Sequence, residues 1–203
     1  MVEMTELIFV RHGEIEANVD KRWHGSTDSE LNKQGTNQAL KVGRYFGENN
    51  LRIAKIYSSP LKRTLDTAQA IGDRLGITPE THVGLREYGI GVLEDTLYES
   101  LGSDHQFFEK IAADHNYAPD QGESLNGVCD RFTQALLQIK QNHPEERIVI
   151  VSHGAAMAIA FAKILKGSPF PFFDYHMSNT GVTHLDWLSE PVIRDFDNVT
   201  HLQ

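Results

Sequence analysis

Four residues scattered over the chain could do chemistry together: Arg11, His12, Arg63 and His153. His12 follows the short apolar run Leu7-Ile8-Phe9-Val10, and His153 follows the β-branched run Ile148-Val149-Ile150-Val151. Each histidine is followed by a glycine, Gly13 and Gly154. Arg63 opens a helical pattern after Ile53-Ala54-Lys55-Ile56-Tyr57 and Ser58-Ser59-Pro60. Apolar runs of this length that stop at turn residues read as buried strands. In open α/β sheets, ligands bind outside the carboxyl ends of the strands. Three strand ends therefore bring two guanidinium groups and two imidazoles towards one point, and that set of charges asks for an anion. None of the histidines forms a compact metal-ligand pair such as His-x-x-x-His, and neighbouring arginines oppose a dication, so no metal is expected.

The elements that must hold these residues follow from the same pattern. Asn32 reads as an N-cap for a helix whose apolar face is Ala39, Leu40, Val42, Gly43 and Phe46, with Gln34 and Gln38 outward and Asn49-Asn50 at its end. Ser59 and Pro60 read as the start of the next helix, which buries Leu61, Leu65, Ala68, Ile71 and Leu75. Lys62 and Arg63 in its first turn oppose the helix dipole. Lys62 has Asp66 four residues on, whereas Arg63 faces the neutral Thr67, so an anion at that helix end would relieve the conflict. Glu123-Ser124 leads into a long helix through Leu125, Val128, Cys129, Phe132, Leu136 and Ile139. The Ala155–Leu165 stretch is apolar nearly all round, and Val182–Trp187 reads as an edge strand paired with Val192–Phe196.

Taken in order, Arg11-His12-Gly13 with Asn18, Ser59-Pro60-Leu61-x-Arg63-Thr64, Glu87 after Leu85-Arg86, and Ser152-His153-Gly154 resemble the histidine phosphatase superfamily. The resemblance implies an α/β three-layer sandwich: a mostly parallel sheet, helices on both faces, and an insertion over the strand C-terminal ends, about 88–122. It implies one domain over 1–203. It implies that His12 is the nucleophile, that Arg11, Arg63, His153 and Asn18 hold phosphate oxygens, and that Glu87 is the general acid. Read alone, Glu87 fits equally an ordinary Arg86–Glu87 surface pair. Gly25 offers backbone N–H groups to an anion, and Gly154 lies at the second histidine turn. His24 stands where the family has a small polar residue, and a phosphate contact and a solvated loop histidine are both open there. Val92-Leu93-Glu94-Asp95 departs from the Trp-Glu-Gly that many family phosphatases carry, with Glu94 as the equivalent carboxylate.

The function implied is metal-independent hydrolysis of a small phosphate monoester through a phosphohistidine, with no cofactor. The alternatives are a cofactor-dependent phosphoglycerate mutase and a non-catalytic phosphate-binding protein. The mutase branch carries a tyrosine-glycine-rich segment with a lysine and an Arg-Arg pair. The 95–120 segment instead holds Glu99, Asp104, Glu109, Asp114 and Asp120 against Lys110, with Tyr98, Phe107, Phe108 and Tyr117 among them. Those aromatics either touch a flat leaving group or anchor the insertion to the core. With 19 Lys and Arg against 28 Asp and Glu, the formal charge of −9 argues against nucleic acid or an anionic membrane as partner. Met1–Glu6 lacks the pattern of a signal peptide, which with the short apolar helix gives an expectation of a cytoplasmic protein, with a homodimer left open. The single cysteine, Cys129, is expected in the core.

Overall fold

A computed structural model describes residues 4–49, 51–188 and 190–203. Asn50, expected at a helix end, and Met1–Glu3 lie outside the described residues. The first strand, β1 (Thr5–Arg11), is buried along its whole length and occupies the middle of a six-stranded sheet. Its neighbours are β4 (Arg147–Ser152), parallel to it, and β5 (Val182–Trp187), antiparallel. Beyond β4 lie β2 (Lys55–Ser58) and the short β3 (Glu80–Thr81), both parallel; beyond β5 lies the antiparallel β6 (Pro191–Asn198). The order is β3-β2-β4-β1-β5-β6.

Alternation along β1 explains the layering. Leu7 and Phe9 face one core with Ile148, Ile150 and Leu185, against α6 (Leu125–Asn142) and α7 (Gly154–Lys166). Ile8 and Val10 face the other with Ile56, Val149 and Val151, against α2 (Lys33–Glu48) and α3 (Lys62–Leu75). Helices therefore cover both faces of a sheet whose central strands are apolar on both sides, as buried strands of this kind require. Cys129 is 3 % exposed within the first of these cores.

Register places the chemistry. Arg11 pairs with Ser152, and Ser58 with Val151, so the chain leaves β1 and β4 side by side, with β2 one residue behind. Beyond those ends, α1 (Glu16–Val19) follows β1 directly. The segment expected to cover the strand ends carries α4 (Tyr98–Ser103) and α5 (Phe107–Ala113), more regular than its sequence pattern suggests. Phe107 is fully buried there, with its ring centroid 6.1 Å from that of Trp23 and 6.0 Å from that of Tyr88.

Four expectations need correction. Val182–Trp187 is internal, not an edge, because β6 covers it on the far side from β1. Helix α2 is turned so that Gln38 is buried, accepting from Glu14 N at 2.9 Å, while Leu40 is 47 % exposed. Helix α3 starts at Lys62 with Leu61 as its cap residue; Ser59, expected to cap it, is instead engaged by His153. Lys62 does not pair with Asp66: its Nζ meets Glu30 at 3.2 Å and its backbone N–H is capped by Asp28 at 2.7 Å. A protein carboxylate, Asp28, thus sits at the helix N-terminus where an anion was expected. Among the described residues no helix is long and apolar enough to cross a membrane.

Candidate active site

His12 leaves β1 into a turn that lies unusually close to α2. A Cβ on Gly13 would stand 2.5 Å from Gly35 O, so no larger residue fits after the histidine. The His12 ring is 3 % exposed, and its Nδ1 meets Gly13 O at 2.7 Å. A carbonyl only accepts, so Nδ1 carries the proton and Nε2 keeps its lone pair. Burial, then the charges of Arg63 and Arg11, holds the imidazole well below its ordinary range. The ring is neutral at neutral pH and presents a free nitrogen to the pocket it lines.

Arg11 is 8 % exposed and lines the same pocket. Its Nη1 donates to Met177 O at 2.6 Å and to His176 Nε2 at 3.2 Å. Its Nε is buried with no acceptor among the described residues, so the Nε side of the guanidinium is the part left for an anion. Asn18 is oriented in the same way: its Oδ1 accepts from Ile15 N and from Asn179 Nδ2, each at 3.2 Å, which leaves its amide N–H groups for the pocket. Asn179 also donates to His12 O at 3.0 Å. Gly154 lines the pocket at the start of α7.

Glu87 is 9 % exposed and stands at the N-terminus of α7. Its Oε1 accepts from Tyr88 N at 2.8 Å and Ala156 N at 2.7 Å; its Oε2 accepts from Ala155 N at 3.2 Å. The α7 dipole and its first free N–H groups hold this carboxyl against the pocket, so it is not an exposed partner of Arg86. The segment itself is clamped by Arg131 of α6, which grips Glu123 with Nε at 2.6 Å and Nη2 at 2.8 Å. The same guanidinium donates to the carbonyls of Gly84, Arg86 and Glu87.

Arg63 and His153 lie differently from the expectation. Both are fully buried, and neither lines the pocket. Arg63 Nε donates to His153 Nδ1 at 3.2 Å, and its terminal nitrogens donate to the carbonyls of Thr27, His24 and Gly25. An imidazole nitrogen that accepts from arginine is unprotonated, so His153 carries its proton on Nε2, 2.7 Å from Ser59 Oγ. Burial, then Arg63, lowers it well below the ordinary histidine range. The two stand behind His12, whose ring centroid is 5.3 Å from that of His153. Gly25 also sits behind the pocket: a Cβ there would be 2.3 Å from Tyr88 O, so close loop packing, not an exposed N–H, demands glycine. His24 does line the pocket, with its ring nitrogens on Ser29 Oγ at 2.7 Å and Asp95 Oδ1 at 3.2 Å. Glu94 braces that loop, accepting from both the backbone and the hydroxyl groups of Ser26 and Thr27.

Further lining residues come from the surrounding helices and loops, among them Tyr98, one of the aromatics expected either to touch a leaving group or to anchor the insertion. Tyr98 comes from α4 and packs on Trp23 at 5.4 Å; burial, then the charge of Glu87, raises its phenol above the ordinary range. His176 and the Phe172-Phe173 pair come from the loop after α7, and Arg22 from the loop before Trp23. Among the described residues no group of three or more His, Cys, Asp or Glu is gathered to hold a metal ion.

The sequence pattern of the Histidine phosphatase superfamily (branch 1) matches residues 7–193. A probable phosphoglycerate mutase of Erwinia tasmaniensis is 31% identical over 208 residues, covering 98% of this chain and 96% of its own length. The metal-independent phosphoserine phosphatase of Arabidopsis thaliana is 32% identical over 170 residues, covering 82% of this chain and 71% of its own. The solved structure of phosphoserine phosphatase from Entamoeba histolytica in complex with 3-phosphoglyceric acid has a TM-score of 0.85 at 32% identity, covering 98% of this chain and 100% of that one.

Proposed function

The chain belongs to the histidine phosphatase superfamily, and from that premise we propose that it hydrolyses phosphate monoesters through a phosphohistidine on His12, without metal or cofactor. The observation that carries this reading is the state of His12: neutral, with its proton held on Nδ1 by Gly13 O and Nε2 free beside the unspent edge of Arg11. Nε2 attacks phosphorus in line, forming the N–P bond as the ester P–O bond breaks. Arg11 and the Asn18 amide hold the equatorial oxygens, and the charge of Arg63 acts from behind. Positioning and electrostatics of this kind supply most of the rate in phosphoryl transfer. Glu87 gives a proton to the departing alkoxide from Oε2, the oxygen with the single, longer hydrogen bond. Now a carboxylate, it takes a proton from the water whose oxygen attacks phosphorus as the N–P bond breaks, releasing phosphate and restoring neutral His12.

The test is phosphate release from a panel of phosphomonoesters in chelator, beside 3-phosphoglycerate with its bisphosphate cofactor, using the parent and His12→Ala. Release from the panel that falls by roughly 10³-fold or more in His12→Ala is the expected result. Interconversion of phosphoglycerates without net release would make the chain a mutase. Ester binding without turnover would make it a phosphate-binding protein.

A further inference from the structure

The pocket lining is of two kinds. Arg11, His12, Asn18 and Glu87 supply the reacting groups; the rest joins an apolar surface of Ile15, Trp23, Ala155, Ala158, Phe172 and Phe173 to the polar side chains of Arg22, His24, Tyr98 and His176. Phe172 is 4 % exposed, but Phe173, whose ring lies tilted against it with centroids 4.1 Å apart, is 52 % exposed. Phe173 also meets Phe108 of α5 at 5.4 Å, so the segment over the strand ends and the loop after α7 close one lip of the pocket with aromatic rings. A large apolar ring left half in water at the edge of a cavity is surface that a ligand can cover.

The polar groups on that side offer little to a second anion. Arg22 donates to Asp95 O at 2.5 Å and has the Asp95 carboxylate 3.8 Å away, which offsets its charge. His176 Nε2 is occupied by Arg11, and Tyr98 is a neutral phenol. The adjoining cleft beyond His24 is lined by three carboxylates, Glu16, Asp28 and Glu30, against one cation, Lys62, which is paired with Glu30, so its balance is unfavourable to an anion.

We propose that the substrate is the monophosphate of an uncharged alcohol bearing a flat apolar group, seated against Phe172 and Phe173, and not a phosphate ester with a second anionic group. This rests on the hydrolase reading above and narrows it. The test compares kcat/KM for phenethyl phosphate, ethyl phosphate, O-phosphoserine and 3-phosphoglycerate, all primary alkyl esters whose leaving groups need protonation. His12→Ala sets the background, and Phe173→Ser, at a half-exposed position, probes the wall. Phenethyl phosphate is expected to exceed O-phosphoserine by at least about tenfold, and Phe173→Ser to lower the phenethyl-to-ethyl ratio by about tenfold, chiefly through KM. O-phosphoserine or 3-phosphoglycerate hydrolysed as well as phenethyl phosphate overturns the substrate class while leaving the hydrolase reading in place. An unchanged ratio in Phe173→Ser also overturns it. Release from none of the esters overturns both.

Discussion

A general acid is recognised by which substrates miss it. Glu87 is held by three backbone N–H groups, and replacing it with glutamine keeps an oxygen for the two shorter bonds, from Tyr88 and Ala156. Glu87→Gln should therefore fold, yet lose the proton. We expect a loss on the order of 10²–10³-fold in kcat with alkyl phosphates and less than about tenfold with p-nitrophenyl phosphate, whose leaving group needs little protonation. Equal losses in steady-state assays would show that the side chain only props up the turn. The pocket positions of Arg11 and His12 were legible from side-chain type at a strand end, whereas Asn18 and Glu87 were singled out only by the family motifs, and side-chain type alone left Glu87 open. The placement of Arg63 and His153 behind the nucleophile was not legible. It depends on Arg63 finding the carbonyls of Thr27, His24 and Gly25, and backbone acceptors are the same in every sequence. His176 and Asn179 were hidden for a related reason: they act on the orientation of Arg11 and Asn18, a three-dimensional relation with no spacing rule.

Elements aim these residues, and Arg131 on α6 shows how. Its guanidinium satisfies the Glu123 carboxylate and three carbonyls of the 84–87 segment, so one side chain fixes the path that delivers Glu87 to α7. Arg131→Met leaves the half-buried Glu123 carboxylate with only the Gly89 N–H as partner and removes the guanidinium from three carbonyls, and should destabilise the fold by about 2–4 kcal/mol in urea titrations. Arg131→Lys should recover less than half of that, because an ammonium cannot fork to both Glu123 oxygens. A Met variant as stable as the parent would mean that water replaces the clamp without cost. The central strands and the long helices were legible because their apolar period survives in the structure: Leu7 and Phe9 to one core, Ile8 and Val10 to the other. Helix starts and sheet edges were less so. Ser59 has the composition of a cap, but a buried histidine competes for its hydroxyl and wins. Trp187 and its strand look like an edge until β6 is paired on, and hairpin pairing does not say which partner strand ends the sheet. The helices over the strand ends are short, six and seven residues, too brief to impose a clear period.

On the scale of the whole molecule, the same burial that makes the site also sets where acid unfolds it. His12 and His153 are held neutral well below the ordinary histidine value of 6.5, whereas in the unfolded chain they titrate near it. Between those values the unfolded chain binds more protons, so stability is full above about pH 6.5 and falls as pH drops below it. Glu6 adds a second limb at the opposite end of the sheet. Its carboxylate, 4 % exposed, accepts from His184 at 2.8 Å and Arg147 at 2.5 Å, and these bonds, led by the one from His184, hold it at about 2 against 4.5. A depressed carboxyl stabilises above its unfolded value, and that contribution drains away as pH falls from 4.5 towards 2. Urea midpoints in phosphate-free buffer should accordingly decline in two stages, the first below about pH 6.5 and the second below about pH 4.5. Glu6→Gln isolates the second stage: the variant should be less stable than the parent by about 2 kcal/mol at pH 7, with the gap closing as the parent's own carboxyl is protonated. A gap that stays constant down to pH 2.5 would assign the loss to packing at β1 and β5, not to the charge of Glu6.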